Sequence, residues 1–319
     1  MYHPIVLWQV FQQNGLNQEN KSGMKLLTAC PICKGEQIGP YAMKYAQNFP
    51  HVSRTICKTC EIVFANPVAS YEELNDFYKN YYDKGNFGDL LYKQKTIQQF
   101  NTIQSSSKDG LLSIDKNIKY YTGNGHFLDV GFGLGVHLYM AQKLGYKVYG
   151  TELDSDCINF VTPYLPNAQL FNGDLLSANY ENNYFDLINI CHVIEHLIDP
   201  NTYLVELNRI VKMEGLIIVS TPNIGAVAYK LFRVFNFINF RVPLIVDGLE
   251  HTVIFNNANL KKVIQAHGFE IIQQYNESVN DSFRNIWKSN LSLRKKIVRY
   301  LQTFVKVNQV VIAKKCKNI

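Results

Sequence analysis

The chain has 319 residues, of which 47% are hydrophobic and 18% charged, enough for a sizeable core in one enlarged domain or two domains, and this excludes a disordered protein. The net charge of +6 is mild, and much of the excess lies near the C-terminus, from Arg294 to Lys317, where it suits a solvated helix face or a surface for anionic lipid, phosphate or RNA. No apolar run approaches the roughly 18 residues of a spanning helix, and the N-terminal stretch lacks the basic region of a signal peptide, so a cytoplasmic protein is expected.

The first element in chain order is a pair of cysteine knuckles. Cys30 and Cys33 stand in CPICKG, and Cys57 and Cys60 in CKTCEIVFANP. Two C-x2-C pairs in a chain without an export signal read as a four-thiolate structural zinc site within a ribbon at residues 26–68; a redox pair is the competing reading. Cys157, Cys191 and Cys316 are scattered and read as apolar fillers. Residues 71–82 then predict a tyrosine-rich amphipathic helix. The polar run 101–110 predicts a linker or loop, all within a helical linker region at 69–122.

From residue 123 onward strands and helices alternate. Residues 127–130 predict a buried strand, 136–144 a helix closed by Gly145, and 147–151 a second strand ended by Glu152. Further strands are expected at 168–173, 184–193, 216–222, after a helix at about 257–267, and at 308–315; a helix is expected at 201–215. Such alternation implies an α/β fold with a doubly wound, mostly parallel seven-stranded sheet.

Between the first strand and its helix lies DVGFGLG. A dinucleotide fingerprint would need glycine at position 136, where Val136 stands. The loop instead offers Asp129 and three alternating glycines, Gly131, Gly133 and Gly135. Ligands of such sheets bind at the carboxyl ends of the strands. There the sequence places Asp129, Glu152 and Asp174, then His192, Glu195 and His196, then Thr221 and Asn223. Glu152 can accept two hydrogen bonds from a ribose diol. Three acids suit a cationic ligand with a ribose and an exocyclic amine, a description that S-adenosylmethionine fits. Asp174 can equally serve as a helix cap in NGDLL.

LDVGFGLG, VYGTELD, NGDL, FDLINICHVIEHLIDP and VSTPN together resemble the successive motifs of class I S-adenosylmethionine-dependent methyltransferases, over residues 125–276. The form after the fourth strand is similar to quinone-biosynthesis O-methyltransferases and to bacterial sugar and polysaccharide methyltransferases. The leading zinc ribbon resembles that of sugar C-methyltransferases, which usually continue into a further domain absent from this sequence. The resemblance implies that Gly131, Gly133 and Gly135 line the methionine portion, Asp129 sits near its amino group, Glu152 holds the ribose hydroxyls and Asp174 the adenine amine.

A methyl acceptor with a hydroxyl or acidic carbon often needs a base. His196, His251 and His192 are the candidates, in that order, and a loop-orienting role is the plainer alternative for each. The segment 223–251 is expected to be a lid, and its aromatics and cations also suit a peripheral membrane contact through 223–246. The expected activity is methyl transfer to a sugar or glycan precursor of the cell envelope. A quinone or lipid-phenol O-methyltransferase is the alternative. An RNA methyltransferase and a non-catalytic cofactor-binding module are further alternatives. Basic residues do not interleave with aromatics, which speaks against nucleic acid. The oligomeric state is open.

Overall fold

The computed structural model describes residues 25–41, 53–68, 89–227, 251–278, 293, 296, 297, 300 and 306–319. The tyrosine-rich segment 71–82, most of the 223–251 insertion and much of the C-terminal basic run lie outside the described residues.

The larger sheet holds seven strands: β4 (His126–Val130), β5 (Lys147–Glu152), β6 (Gln169–Asn172), β7 (Phe185–Cys191), β8 (Val211–Pro222), β10 (Phe269–Glu277) and β11 (Asn308–Lys315). Their order is β10-β11-β8-β7-β4-β5-β6. All neighbours run parallel except β11, which is antiparallel to both β8 and β10. Buried apolar runs such as Phe127–Val130 and Ile188–Ile190 drive this core, because a parallel sheet is covered on both faces. This is the doubly wound, mostly parallel seven-stranded sheet that the alternation of elements predicts. The order in which strands are added reverses between β4 and β7, which are parallel, and a ligand crevice opens at such a switch point.

Two boundaries differ from the sequence expectation. The 101–110 run is mostly helical: α1 spans Asp89–Ser105 and α2 spans Lys108–Ile114. Phe100 and Ile103 of α1 are buried, with Phe100 stacked at 4.3 Å on Tyr139 of α3 (Val136–Lys143). Burial of that apolar pair outweighs the polar neighbours. The 201–215 helix ends early. α5 is Pro200–Ile210, and β8 already begins at Val211. Val211 is buried opposite Phe185, and the register then slips before Leu216 pairs with Leu187. Lys212 binds Asp186 of β7 at 2.8 Å. Glu214 takes a left-handed φ of 64° beside Gly215, so the glycine serves a bulge inside the strand and not a helix stop.

A second sheet, antiparallel, contains β1 (Ile38–Pro40), β2 (Ser53–Cys57), β3 (Val63–Asn66) and β9 (Val253–Ile254), in that order. Its fourth strand comes from far downstream: Phe64 pairs with Val253, and the Ala65 amide donates to the Thr252 carbonyl at 2.8 Å. Asn201 on α5 donates to the Ile32 carbonyl at 2.8 Å, and Asn259 on α6 (Asn257–Ala266) donates to the Glu61 carbonyl at 3.3 Å. Cys30, Cys57, Ile62 and Phe64 share one apolar cluster with Leu204, Leu207, Val253, Phe255 and Leu260. The cysteine-bearing sheet and the large sheet therefore share a core. Among the described residues no helix is long and apolar enough to cross a membrane.

Candidate functional site

The glycine loop follows β4. Gly131, Gly133 and Gly135 have φ values of 68°, 53° and 73°, a region closed to most side chains. A Cβ on Gly135 would lie 2.9 Å from Val161, so this glycine also lets α3 approach α4 (Ser155–Val161). The Gly133 amide donates to Glu152 Oε2 at 2.8 Å. The Leu153 and Asp154 amides donate to Glu152 Oε1 at 2.8 and 3.0 Å. The acid at the end of β5 thus latches the loop after β4. Burial pushes its pKa up to about 7, against the pull of those three amides.

Asp129 is also buried. Asn189 on the adjacent β7 donates to its Oδ1 at 2.7 Å, but its Oδ2 has no hydrogen-bond partner. The ring Nδ1 of His137 stands 4.0 Å from that oxygen. Burial raises the Asp129 pKa to about 6. A buried carboxylate oxygen with no hydrogen-bond donor, beside a glycine loop, is a ready acceptor for a cationic ligand group. Asp174 is engaged within its own loop. Its Oδ1 accepts from the Ser177 amide at 2.7 Å, and the Tyr203 hydroxyl bonds the same carboxylate. Asp174 thus closes a turn at 175–177, and no helix follows for it to cap.

The histidines converge at the end of β7. His192 takes a left-handed φ of 56°, a strained conformation that concentrates at functional sites. Its Nδ1 lies 3.0 Å from Glu195 Oε1, and the Thr221 hydroxyl at the end of β8 donates to Glu195 Oε2 at 2.9 Å. A short 3-10 turn, Ile194–His196, carries the next histidine inward. The rings of His196 and His251 lie 4.9 Å apart at 53°. Glu195 is the hub of this cluster. Burial alone would raise its pKa, but the hydrogen bond to His192 and the surrounding imidazoles hold it down at about 2. Burial, with the neighbouring His196, pushes the His251 imidazole pKa well below its ordinary value.

The segment carrying His251 is tied down from three sides. Arg54 of β2, itself buried, donates to the His251 carbonyl. Thr252 donates to the carbonyls of Glu195 and Leu197 at 3.1 and 2.6 Å. β9 then joins β3. The structure therefore brings all three predicted histidines together with Glu195 and Thr221, which the sequence placed at strand ends without a specific role, and adds Thr252 and Arg54, which the sequence reading did not single out. For Glu195 the clue was its place within VIEHL; nothing near Arg54 in the sequence points to a residue 197 positions away.

The four cysteines meet as predicted. Cys30 and Cys60 sulfurs are 3.6 Å apart, Cys33 and Cys57 sulfurs 3.5 Å, and all four lie within 4.8 Å of one another. Such separations are far beyond a disulfide bond and match thiolates around one ion with bonds of about 2.3 Å. Both knuckles close alike, with the residue after the second cysteine, Lys34 or Glu61, at a φ of 59° or 60°. The donor set fits tetrahedral zinc and leaves it no open position.

Residues 128–219 match the family model described as a methyltransferase domain. A Mycolicibacterium smegmatis protein described as a "Probable S-adenosylmethionine-dependent methyltransferase" is 26% identical over 144 residues, 45% of this chain and 51% of that protein. The chain thus spans about half the length of the curated relative it matches. Among solved structures, a SAM-dependent methyltransferase from Archaeoglobus fulgidus is 19% identical, with 71% of this chain and 100% of that chain covered, at a TM-score of 0.44. One from Methanosarcina mazei is 18% identical, with 62% and 96% covered, at a TM-score of 0.45. The match to a methyltransferase domain thus falls on the segment from β4 to β8, and the acid-glycine loop and the histidine cluster lie at the carboxyl ends of its strands.

Proposed function

We propose that the protein transfers a methyl group from S-adenosylmethionine to a sugar or glycan precursor of cell-envelope polysaccharide, in the cytoplasm. The observation that carries the cofactor assignment is Asp129 Oδ2, a buried carboxylate oxygen without a hydrogen-bond partner at the switch point of the sheet. It suits the ammonium of the methionine portion. The open φ of Gly131 and Gly133 lets that portion approach the backbone. Glu152 keeps acceptor capacity beyond its three amide bonds for the ribose diol, and Asp174 keeps some for the adenine amine. The cofactor supplies an electrophilic methyl on a sulfonium. The protein aligns the acceptor behind that methyl and helps remove its proton. His196 and His251, buried and adjacent, form the polar wall at which a hydroxyl can be held, with Glu195 fixing their surroundings.

The acceptor class rests on the likeness of the motifs and of the four-cysteine module to sugar methyltransferases. The same module is proposed to hold one structural zinc. Two measurements test the reading. Calorimetry with S-adenosylmethionine should show micromolar or tighter binding, and Glu152→Ala should weaken it by about 1.5–3 kcal/mol; unchanged affinity in that variant removes the ribose assignment. Labelled cofactor offered with separate pools of nucleotide sugars, quinone precursors and RNA should label the sugar pool. Labelling of another pool alone overturns the acceptor class.

A further inference from the structure

Glu195, His196 and His251 each present a ligand-capable atom, and those atoms lie within 4.8 Å of one another. We propose that these three residues form a second metal site, which takes a divalent transition-metal ion through two imidazole nitrogens and one carboxylate oxygen. The site is separate from the four cysteines and independent of the methyltransferase reading.

Composition comes first. Two histidines and one carboxylate suit zinc, iron, cobalt or manganese; magnesium and calcium favour oxygen donors throughout. Three protein ligands leave a position for water or a substrate oxygen, the arrangement of reactive metal sites, whereas the four cysteines close theirs. Geometry comes second. Bonds of roughly 2.0–2.2 Å place donor atoms up to about 4.4 Å apart, so rotation of the side chains closes the set. The third observation is an unmet need: His251 Nδ1 is buried and has no hydrogen-bond partner. A metal ion, or a reorientation of the ring onto one, relieves it.

The surroundings are those of a supported site. Metal ligands are held by outer hydrogen bonds that fix their orientation. Here the His192 ring engages Glu195 Oε1 and the Thr221 hydroxyl donates to Oε2, leaving a lone pair on each oxygen. Thr252 ties the Glu195 carbonyl, and Arg54 ties the His251 carbonyl. All three ligands are buried, Glu195 at 2% exposure and each histidine at 7%.

The test is titration of cobalt(II) into the full-length protein as purified, with its cysteine site filled, followed by calorimetry and visible absorption. One further equivalent per chain is expected, with a spectrum lacking sulfur-to-cobalt absorption. His196→Ala and His251→Ala should each bind it at least about 100-fold more weakly, beyond the 10–100-fold of losing an outer-shell partner. Retained cysteine-held metal and unchanged cofactor affinity in the same variants show that they are folded. Glu195→Gln, which keeps the shape of the carboxylate, replaces any alanine variant that is not. No additional equivalent in the wild type, or equal affinity in folded variants, overturns the proposal. Cofactor binding is read separately, so its failure is distinguishable from this one.

Discussion

At the scale of the residue, the site concentrates two buried acids, Asp129 and Glu152, with no full cationic partner in hydrogen-bond contact. Asp129 and Glu152 have pKa values raised by burial to about 6 and about 7. A group raised in this way favours its protonated form in the ligand-free protein. A bound cation favours the carboxylate, so binding must expel protons. S-adenosylmethionine binding at about pH 6.5 should release up to about one proton, and close to none at about pH 8.5. Calorimetry in buffers of different ionisation heat reads this directly, and proton uptake in place of release contradicts the electrostatic picture. Below about pH 6 the affinity should fall as Asp129 protonates, and Asp129→Asn should flatten that fall. On the acceptor side, His196→Ala should lower turnover by about 10²–10⁴ with cofactor affinity nearly unchanged. Near-normal turnover across pH 6–9 would exclude it as an activating group. A loss at His251 that appears mainly in the acceptor's KM assigns that residue to positioning. Much of this site was legible because the glycines, the acids and VIEHL sit at strand ends within local spacing. Arg54, Asn189 and Thr252 were not, since their meaning lies in partners that only the fold brings near.

At the scale of the element, the glycine loop and the knuckles make opposite demands. Gly135 needs both its left-handed φ and its missing Cβ, since Val161 stands 2.9 Å from where that atom would be. Gly135→Ala should cost about 2–4 kcal/mol, from left-handed strain plus overpacking. Denaturant titration should show a lower midpoint at an unchanged slope. The knuckles need thiolates. Cys57→Ser with Cys60→Ser should abolish the cysteine-held metal and lower the melting temperature by at least about 5 °C, because metal binding there is part of the folding energy. Full metal retention in elemental analysis removes the zinc assignment. Element boundaries followed periodicity where burial agreed with it: the strand expected at 308–315 is β11 (Asn308–Lys315). They failed at Ile210, where apolar residues at 207, 210 and 211 fit either a helix or a strand. Pairing of Val211 with Phe185 decided between them, and no local signal encodes that contact.

At the scale of the whole molecule, alternation of strands and helices carried the class of the fold, because burial on both faces of a parallel sheet writes itself into the sequence. The second sheet was only half legible. Its knuckles are a local motif, but two residues at Val253–Ile254 are too short to announce a strand, and their role as the closing edge depends on β3. That closure has a temporal consequence. Synthesis runs from the N-terminus, so β3 leaves the ribosome with its outer edge unpaired, and Val253 follows only after most of the chain has been made. At 5–20 residues per second the interval is roughly 10–40 s. Throughout it Phe64 and Ile62, fully buried in the finished protein, lack the downstream half of their packing. The nascent chain thus carries an open, apolar strand edge for most of its elongation, backed by β2 and the knuckles.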